Sequence, residues 1–255
     1  LEQESEMRVD AHTHIGNDPG ELGRKCEELL SMLQEYGMDA AVAFAGGQTP
    51  REMAKANDYV AEAMKRYPKE IIGFARVNPC HGEVAIRELE RAVAQLGLKG
   101  LKLHPPSQGF DVGDMTVMGP VLDAVARLGI PVAIHCGLRV HDNPWRIGLL
   151  AEKYPEVTVF MLHSNFGGTD RIGTLWVAER AQNVIFETSA TAEPSFVKEL
   201  VAVAGKDRVA YGSDWPALSP RLGLAVVEAA GLADDEFESV MGGSVARLLG
   251  VCEKD

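Results

Sequence analysis

Eight short apolar runs alternate with eight longer amphipathic stretches along this chain, and that repeat restricts the fold more than any other feature. The runs fall at Met7–His14, Ala40–Ala45, Ile71–Asn78, Gly100–His104, Ile130–Cys136, Val157–Ser164, Asn183–Ser189 and Arg208–Asp214. Several, such as Val157-Thr158-Val159-Phe160-Met161-Leu162, are nearly unbroken apolar segments, the pattern of a strand covered on both faces. Helical spacing fills the intervals: Cys26, Leu29, Leu30 and Leu33 share one face, as do Ile86, Leu89, Val93 and Leu96. Phe237, Val240, Met241, Val245, Leu248 and Leu249 repeat the pattern near the end. Gly37, Gly97 and Gly129 each stand just before a strand, where a left-handed residue closes the preceding helix. Eight strand-then-helix units in 255 residues predict a single-domain (β/α)8 TIM barrel over residues 7–255. A doubly wound open sheet competes less well, since the first strand lacks the Gly-x-Gly-x-x-Gly turn that would follow it.

The acidic residues 1–6 are expected to be a disordered or altered terminus outside the barrel. With 25 basic against 37 acidic side chains, a net charge of −12 and no basic stripe, neither nucleic acid nor an anionic membrane is an expected partner. No apolar run is long enough to span a bilayer. Cys26, Cys80, Cys136 and Cys252 form no Cys-x-x-Cys pair and are expected to be reduced thiols of a cytoplasmic protein. Oligomeric state is left open, a homodimer being allowed.

In such a barrel, chemistry belongs at the carboxyl ends of the strands. Five of the seven histidines fall there: His12, His14, His104, His135 and His163. The other two, His81 and His141, lie just beyond strand ends. His12-Thr13-His14 closes the first strand, where residues i and i+2 share a face and aim both imidazoles into the mouth. Taken singly each histidine reads as a hydrogen-bonded strand-end residue, and Asp214 as a cap for the following helix. Together, three of the four imidazoles at the ends of strands one, five and six, with the carboxylate at the end of strand eight, suit one divalent metal with an open position for water.

The segments His12-Thr13-His14, Gly100-Leu101-Lys102-Leu103-His104-Pro105, His135, His163-Ser164-Asn165-Phe166-Gly167-Gly168 and Gly212-Ser213-Asp214-Trp215-Pro216 resemble the amidohydrolase superfamily. Within it they are similar to the amidohydrolase 2 family, which holds aminocarboxymuconate-semialdehyde decarboxylase-like enzymes and several lactonases. The resemblance runs to Met241–Gly250, where Ser244 replaces the family's usual asparagine. It implies His12, His14, His135 and Asp214 as ligands of one divalent metal, usually zinc. His163 then stands beside the metal, polarising a substrate oxygen or orienting water, and Asp214 doubles as the proton-transfer group. In binuclear relatives a carboxylated lysine on strand four bridges two metals, so a second metal at Lys102 is the variant to test; in mononuclear ones that lysine contacts a substrate anion.

Arg76 and Asn78, Lys102 and His104, and Arg139 with His141 are candidate anion contacts, Arg139 being placed first by its paired donors. Trp145 and Trp215 either wall the pocket or pack under loops. A small anionic substrate follows from this positive cluster in an acidic protein. Short loops favour hydrolysis of a lactone or amide by metal-activated water. Non-oxidative decarboxylation of a small unsaturated or aromatic acid is the alternative, and a non-catalytic metal- or ligand-binding barrel a further one.

Overall fold

All eight apolar runs become parallel strands in the computed structural model, which describes residues 7–16, 25–46, 49–137 and 140–251. They are β1 (Val9–His14), β2 (Ala40–Phe44), β3 (Ile71–Arg76), β4 (Leu101–Leu103), β5 (Val132–His135), β6 (Val159–Leu162), β7 (Val184–Glu187) and β8 (Val209–Ala210). Residues 1–6 and Cys252, on which two expectations rested, lie outside the described residues. Neighbours pair in sequence order from β1 to β8. Closure comes from the chain after β8: the His14 N–H donates to the Trp215 carbonyl at 2.8 Å, and the Asp214 N–H to that of His12 at 2.8 Å. The result is a (β/α)8 barrel.

The strands are shorter than the apolar runs because ladder pairing stops where the chain turns into each loop. Gly37 and Gly129 end their helices at φ +65° and +64°, and Gly97 adopts φ +81° one turn beyond its helix, as expected from their positions before strands. Two apolar layers result. Val42, Phe44, Phe74, Ala133, Phe160 and Ile185 fill the barrel interior. The alternate residues, such as Ala41, Ala43, Leu101, Leu103 and Ile134, face the surrounding helices. No helix among the described residues is long and apolar enough to cross a membrane. Cys26, Cys80 and Cys136 are free thiols.

The closing segment, Ser239–Gly243 followed by the helix Ser244–Leu249, seats against β1 and β8. Ser244 donates from its hydroxyl to the Val209 carbonyl at 3.1 Å, so the residue that departs from the family pattern still ties this segment to β8. Gly242 sits at φ +153°, and a Cβ there would run into the backbone of Val9 and Met7. Gly242→Ala is therefore expected to destabilise the protein by about 3 kcal/mol or more, because both atoms it meets are main chain and neither has a rotamer to escape into. Denaturant midpoints check this; a loss below about 1 kcal/mol contradicts it.

Candidate metal centre

Alternation along β1 does not by itself deliver the two imidazoles. Val9 and Ala11 belong to the interior layer, so unbroken alternation would send His12 outward. The register shifts between Asp10 and Thr13: Asp10 pairs with Ala41 and Thr13 with Ala43, three steps on one strand against two on the other. This bulge reverses the phase and turns His12 and His14 inward. Thr13 faces away and donates its hydroxyl to the Val42 carbonyl at 2.9 Å.

His12 Nε2 and His14 Nε2 come within 3.1 Å of each other. Asp214 Oδ1 lies 3.1 Å from the first and 3.3 Å from the second. Burial drives His12 well below the ordinary imidazole range and lowers His14, against the pull of Asp214, so both rings are neutral at pH 7. Burial would raise Asp214, but His12, His14 and His163 hold its carboxyl well below the usual carboxylate range. Its Oδ1 is buried, with the two Nε2 atoms as its nearest polar neighbours among the described residues. Three potential ligand atoms thus converge on one point, at the separations expected of donors bonded to one ion at about 2.0–2.2 Å. A divalent metal fits these residues. The donors are two nitrogens and one carboxylate oxygen, a set that accepts zinc and manganese alike.

Asp214 does not cap the next helix: Ser219 precedes Pro220–Ala229 at that position. Asp214 and His163 instead adopt left-handed backbone, φ +57° and +58°. His163 follows the inward-facing Leu162, and its positive φ turns a residue that alternation would expel back to the mouth, 4.8 Å ring to ring from both His12 and His135. His163 Nε2 stands 4.0 Å from Asp214 Oδ2. Burial, reinforced by the neighbouring His12 ring, pushes the His163 pKa down to about 3.

Two residues that sequence reasoning passed over hold these groups. Glu187, at the end of β7 and fully buried, places Oε2 at 3.0 Å from His12 Nδ1 and accepts the His163 backbone N–H at 3.0 Å. Asp10 Oδ1 accepts the backbone N–H groups of His12 at 3.0 Å and Ser213 at 2.9 Å, stitching β1 to the strand that carries Asp214. Burial raises Asp10 to about 7.

The remaining candidates surround this core. His135 packs face to face on His104, with ring centres 4.0 Å apart, and turns its Nε2 toward Asp142 Oδ2 at 3.6 Å. The donor groups that converge within 4.8 Å among the described residues are His12, His14 and Asp214, and His12, His163 and Glu187; His135 belongs to neither. Lys102 is wholly buried on β4, its Nζ 4.7 Å above the Phe44 ring and without a hydrogen-bond partner among the described residues. Burial, with Arg76 nearby, lowers it to about 7 despite the opposing pull of Asp214. Arg76 pairs in register with Lys102 and donates to Ser107 Oγ at 3.1 Å. His104 accepts the Ser107 N–H on Nδ1 at 3.2 Å, and burial, Lys102 and Arg76 push it down to about 3. Arg139 lies outside the described residues. His141 is exposed beside Asp111, and Asn78 serves the Cys80 N–H and the Gln108 carbonyl. Trp145 packs on Trp176 on the outer helices.

The chain matches the family model described as amidohydrolase (amidohydrolase 2) over residues 9–251. It is 24% identical over 238 residues to the gamma-resorcylate decarboxylase of Polaromonas sp. (strain JS666 / ATCC BAA-500), covering 74% of this chain and 73% of that protein. It is 23% identical over 238 residues to the 2-amino-3-carboxymuconate-6-semialdehyde decarboxylase of Dictyostelium discoideum, covering 76% of this chain and 65% of the relative. Its fold superposes on 5-carboxyvanillate decarboxylase from Novosphingobium aromaticivorans DSM 12444, solved with manganese and 4-hydroxy-3-methoxy-5-nitrobenzoic acid. That match has a TM-score of 0.78 at 15% identity and covers 97% of each chain. With the inward histidine pair of β1 and Asp214 after β8 inside that match, the chain belongs to the amidohydrolase 2 family of the amidohydrolase superfamily.

Proposed function

We propose that this protein is a metal-dependent, non-oxidative decarboxylase of a small aromatic or unsaturated carboxylic acid, holding one divalent ion on His12, His14 and Asp214, with His135 completing the set. The observation that carries it is the pairing of that donor cluster with buried cations at the same mouth, Lys102 and Arg76. The decarboxylase relatives point the same way. Hydrolysis of a lactone or amide keeps support at the level of the superfamily only. Zinc and manganese are the two candidate ions.

When bound, the metal supplies Lewis acidity toward the substrate's oxygens. Lys102 and Arg76 orient the anion by charge-assisted hydrogen bonds. Loss of CO2 breaks the bond from the carboxylate to its parent carbon and requires a proton at that carbon. His163 Nε2 and Asp214 Oδ2, 4.0 Å apart, rest in their proton-accepting forms. They take up a proton from water or from an acidic hydroxyl of the substrate, hold it between them, and deliver it to carbon. Phe44, packed against His12, His14 and Lys102, and the stacked His104–His135 pair supply flat ring surfaces at this end of the barrel, suited to such a substrate.

The test is turnover in D2O by metal-loaded protein with ortho-hydroxybenzoates and carboxymuconate-type acids. Decarboxylation releases CO2 and leaves deuterium on the parent carbon, read by NMR. Lactone or amide cleavage without CO2 would overturn the reading. Lys102→Met is expected to raise KM about 10- to 100-fold, since a charge-assisted contact is worth about 1.5–3 kcal/mol. Thermal stability should hold or rise, because the variant replaces a buried cation lacking a hydrogen-bond partner with an apolar chain. An unchanged KM would remove Lys102 from the substrate site.

A further inference from the structure

As a carboxylate, Glu187 sets the hydrogen-bond directions around it. Its Oε2 lies 2.7 Å from Ser189 Oγ, 3.0 Å from His12 Nδ1 and 3.0 Å from the His163 backbone nitrogen. Oε1 accepts the Ser189 N–H. Four donors around two oxygens are all satisfied by a carboxylate, which has no proton of its own to give. Ser189 has one hydroxyl proton, and Glu187 takes it. Ser189 Oγ is then an acceptor toward His163 Nδ1 at 2.8 Å, with His12 Nδ1 at 3.3 Å. Both rings therefore carry their proton on Nδ1. Both present a bare Nε2: His12 to the convergence point with His14 and Asp214, and His163 to Asp214 Oδ2. The neighbourhood is shaped for this carboxylate, since a Cβ at residue 212 would collide with Glu187 Oε1, and that position is glycine.

We propose that Glu187 and Ser189 form a buried positioning pair that locks His12 and His163 into the same tautomer, linking a metal ligand to the proton-handling histidine through one carboxylate. The inference rests on the reading of this centre as a metal site. It gives β7, which supplies no ligand, its own task. It also separates the two residues: Glu187 meets the His12 ring directly and the His163 ring only through Ser189, whereas Ser189 serves chiefly His163. Were Glu187 to hold the proton instead, Ser189 would donate to His163 Nδ1, and the His163 proton would move to Nε2, facing Asp214.

The test uses full-length protein labelled with 15N-histidine, whose long-range proton–nitrogen correlations report the tautomer of each ring, alongside metal affinity from chelator competition. The wild-type protein should show His12 and His163 protonated on Nδ1. Ser189→Ala should release the His163 tautomer, leave the zinc and manganese dissociation constants within about threefold of wild type, and lower kcat about 10- to 100-fold with KM unchanged. Ser189→Thr, which restores the hydroxyl, should recover the His163 signature. Glu187→Gln should weaken metal binding about 10- to 100-fold, the usual effect of losing a carboxylate behind a ligating histidine. If that variant fails to fold, the Ala and Thr pair at Ser189 still decides. A wild-type His163 protonated on Nε2, or a Ser189→Ala spectrum identical to wild type, overturns the proposal. Correct tautomers and metal affinities with no turnover of any carboxylic acid would sink the decarboxylase reading and leave the positioning pair standing.

Discussion

Asp214→Asn should fold, melt within a few degrees of wild type, and lose turnover by about a thousandfold or more at saturating metal. The fold survives because asparagine, like aspartate, tolerates the left-handed region that φ +57° imposes. Its backbone N–H keeps its bond to the His12 carbonyl at 2.8 Å. The chemistry does not survive, because two functions sit on one carboxylate. Oδ1 stands 3.1 Å and 3.3 Å from His12 and His14 Nε2, where it supplies the only negative charge among those three donors. Oδ2 faces His163 Nε2 at 4.0 Å, where, in the proposed reaction, it shares the proton delivered to carbon. An amide retains an oxygen for the first task and nothing for the second, and proton transfer by a positioned group alone is worth about 10²–10⁴-fold. Steady-state kcat with titrated metal, paired with a melting curve, reads both halves. Turnover within tenfold of wild type would remove Asp214 from proton transfer and leave His163 to carry it alone.

What the sequence made legible was position along the strands more than direction from them. The eight apolar runs and the glycine stops located every strand, and histidines concentrated at strand ends marked the right rim. Direction depended on backbone detail that residue types do not encode. His12 faces inward because a bulge intervenes after Ala11, and His163 because its φ is positive. In both cases simple alternation, carried from the start of the strand, points the wrong way. Glu187 was missed for a different reason. It ends β7 two residues after inward-facing Ile185, as His135 ends β5 two residues after Ala133, but a lone acidic strand end carries no spacing that ties it to the histidines. Asp10 was hidden by its position before the pair, on the face that supports the ligands. The positive cluster divides similarly: Lys102 and Arg76 point into the barrel from neighbouring strands, whereas His141 lies on the exposed rim.

Removing the metal should abolish turnover and lower the melting temperature together, and the coupling between those two losses is the informative result. Without an ion, His12 Nε2, His14 Nε2 and Asp214 Oδ1 bring three metal-binding atoms within 3.1–3.3 Å of one another, while burial keeps both imidazoles neutral. Folding forces the crowding, since His12 is pinned by Glu187 and the ends of β1 and β8 are cross-linked through Asp10. A cation that binds this arrangement and not the unfolded chain stabilises the fold by RT ln(1 + [M]/Kd), about 4 kcal/mol at a thousandfold excess over Kd. For a chain of this size about 4 kcal/mol corresponds to roughly 8–16 °C. Chelation should therefore shift the melting curve downward by that order, and added zinc or manganese should restore stability and turnover along the same titration. Plasma mass spectrometry of protein purified without chelator should find about one divalent ion per chain. About two would direct attention to Lys102 as a carboxylated bridge, since its buried Nζ is lowered toward the neutral form that carboxylation requires. Full activity with no metal detectable would separate the histidine cluster from the chemistry altogether. The three donors would then be a strained structural knot, and the anion-binding face of β3 and β4 would have to support turnover alone.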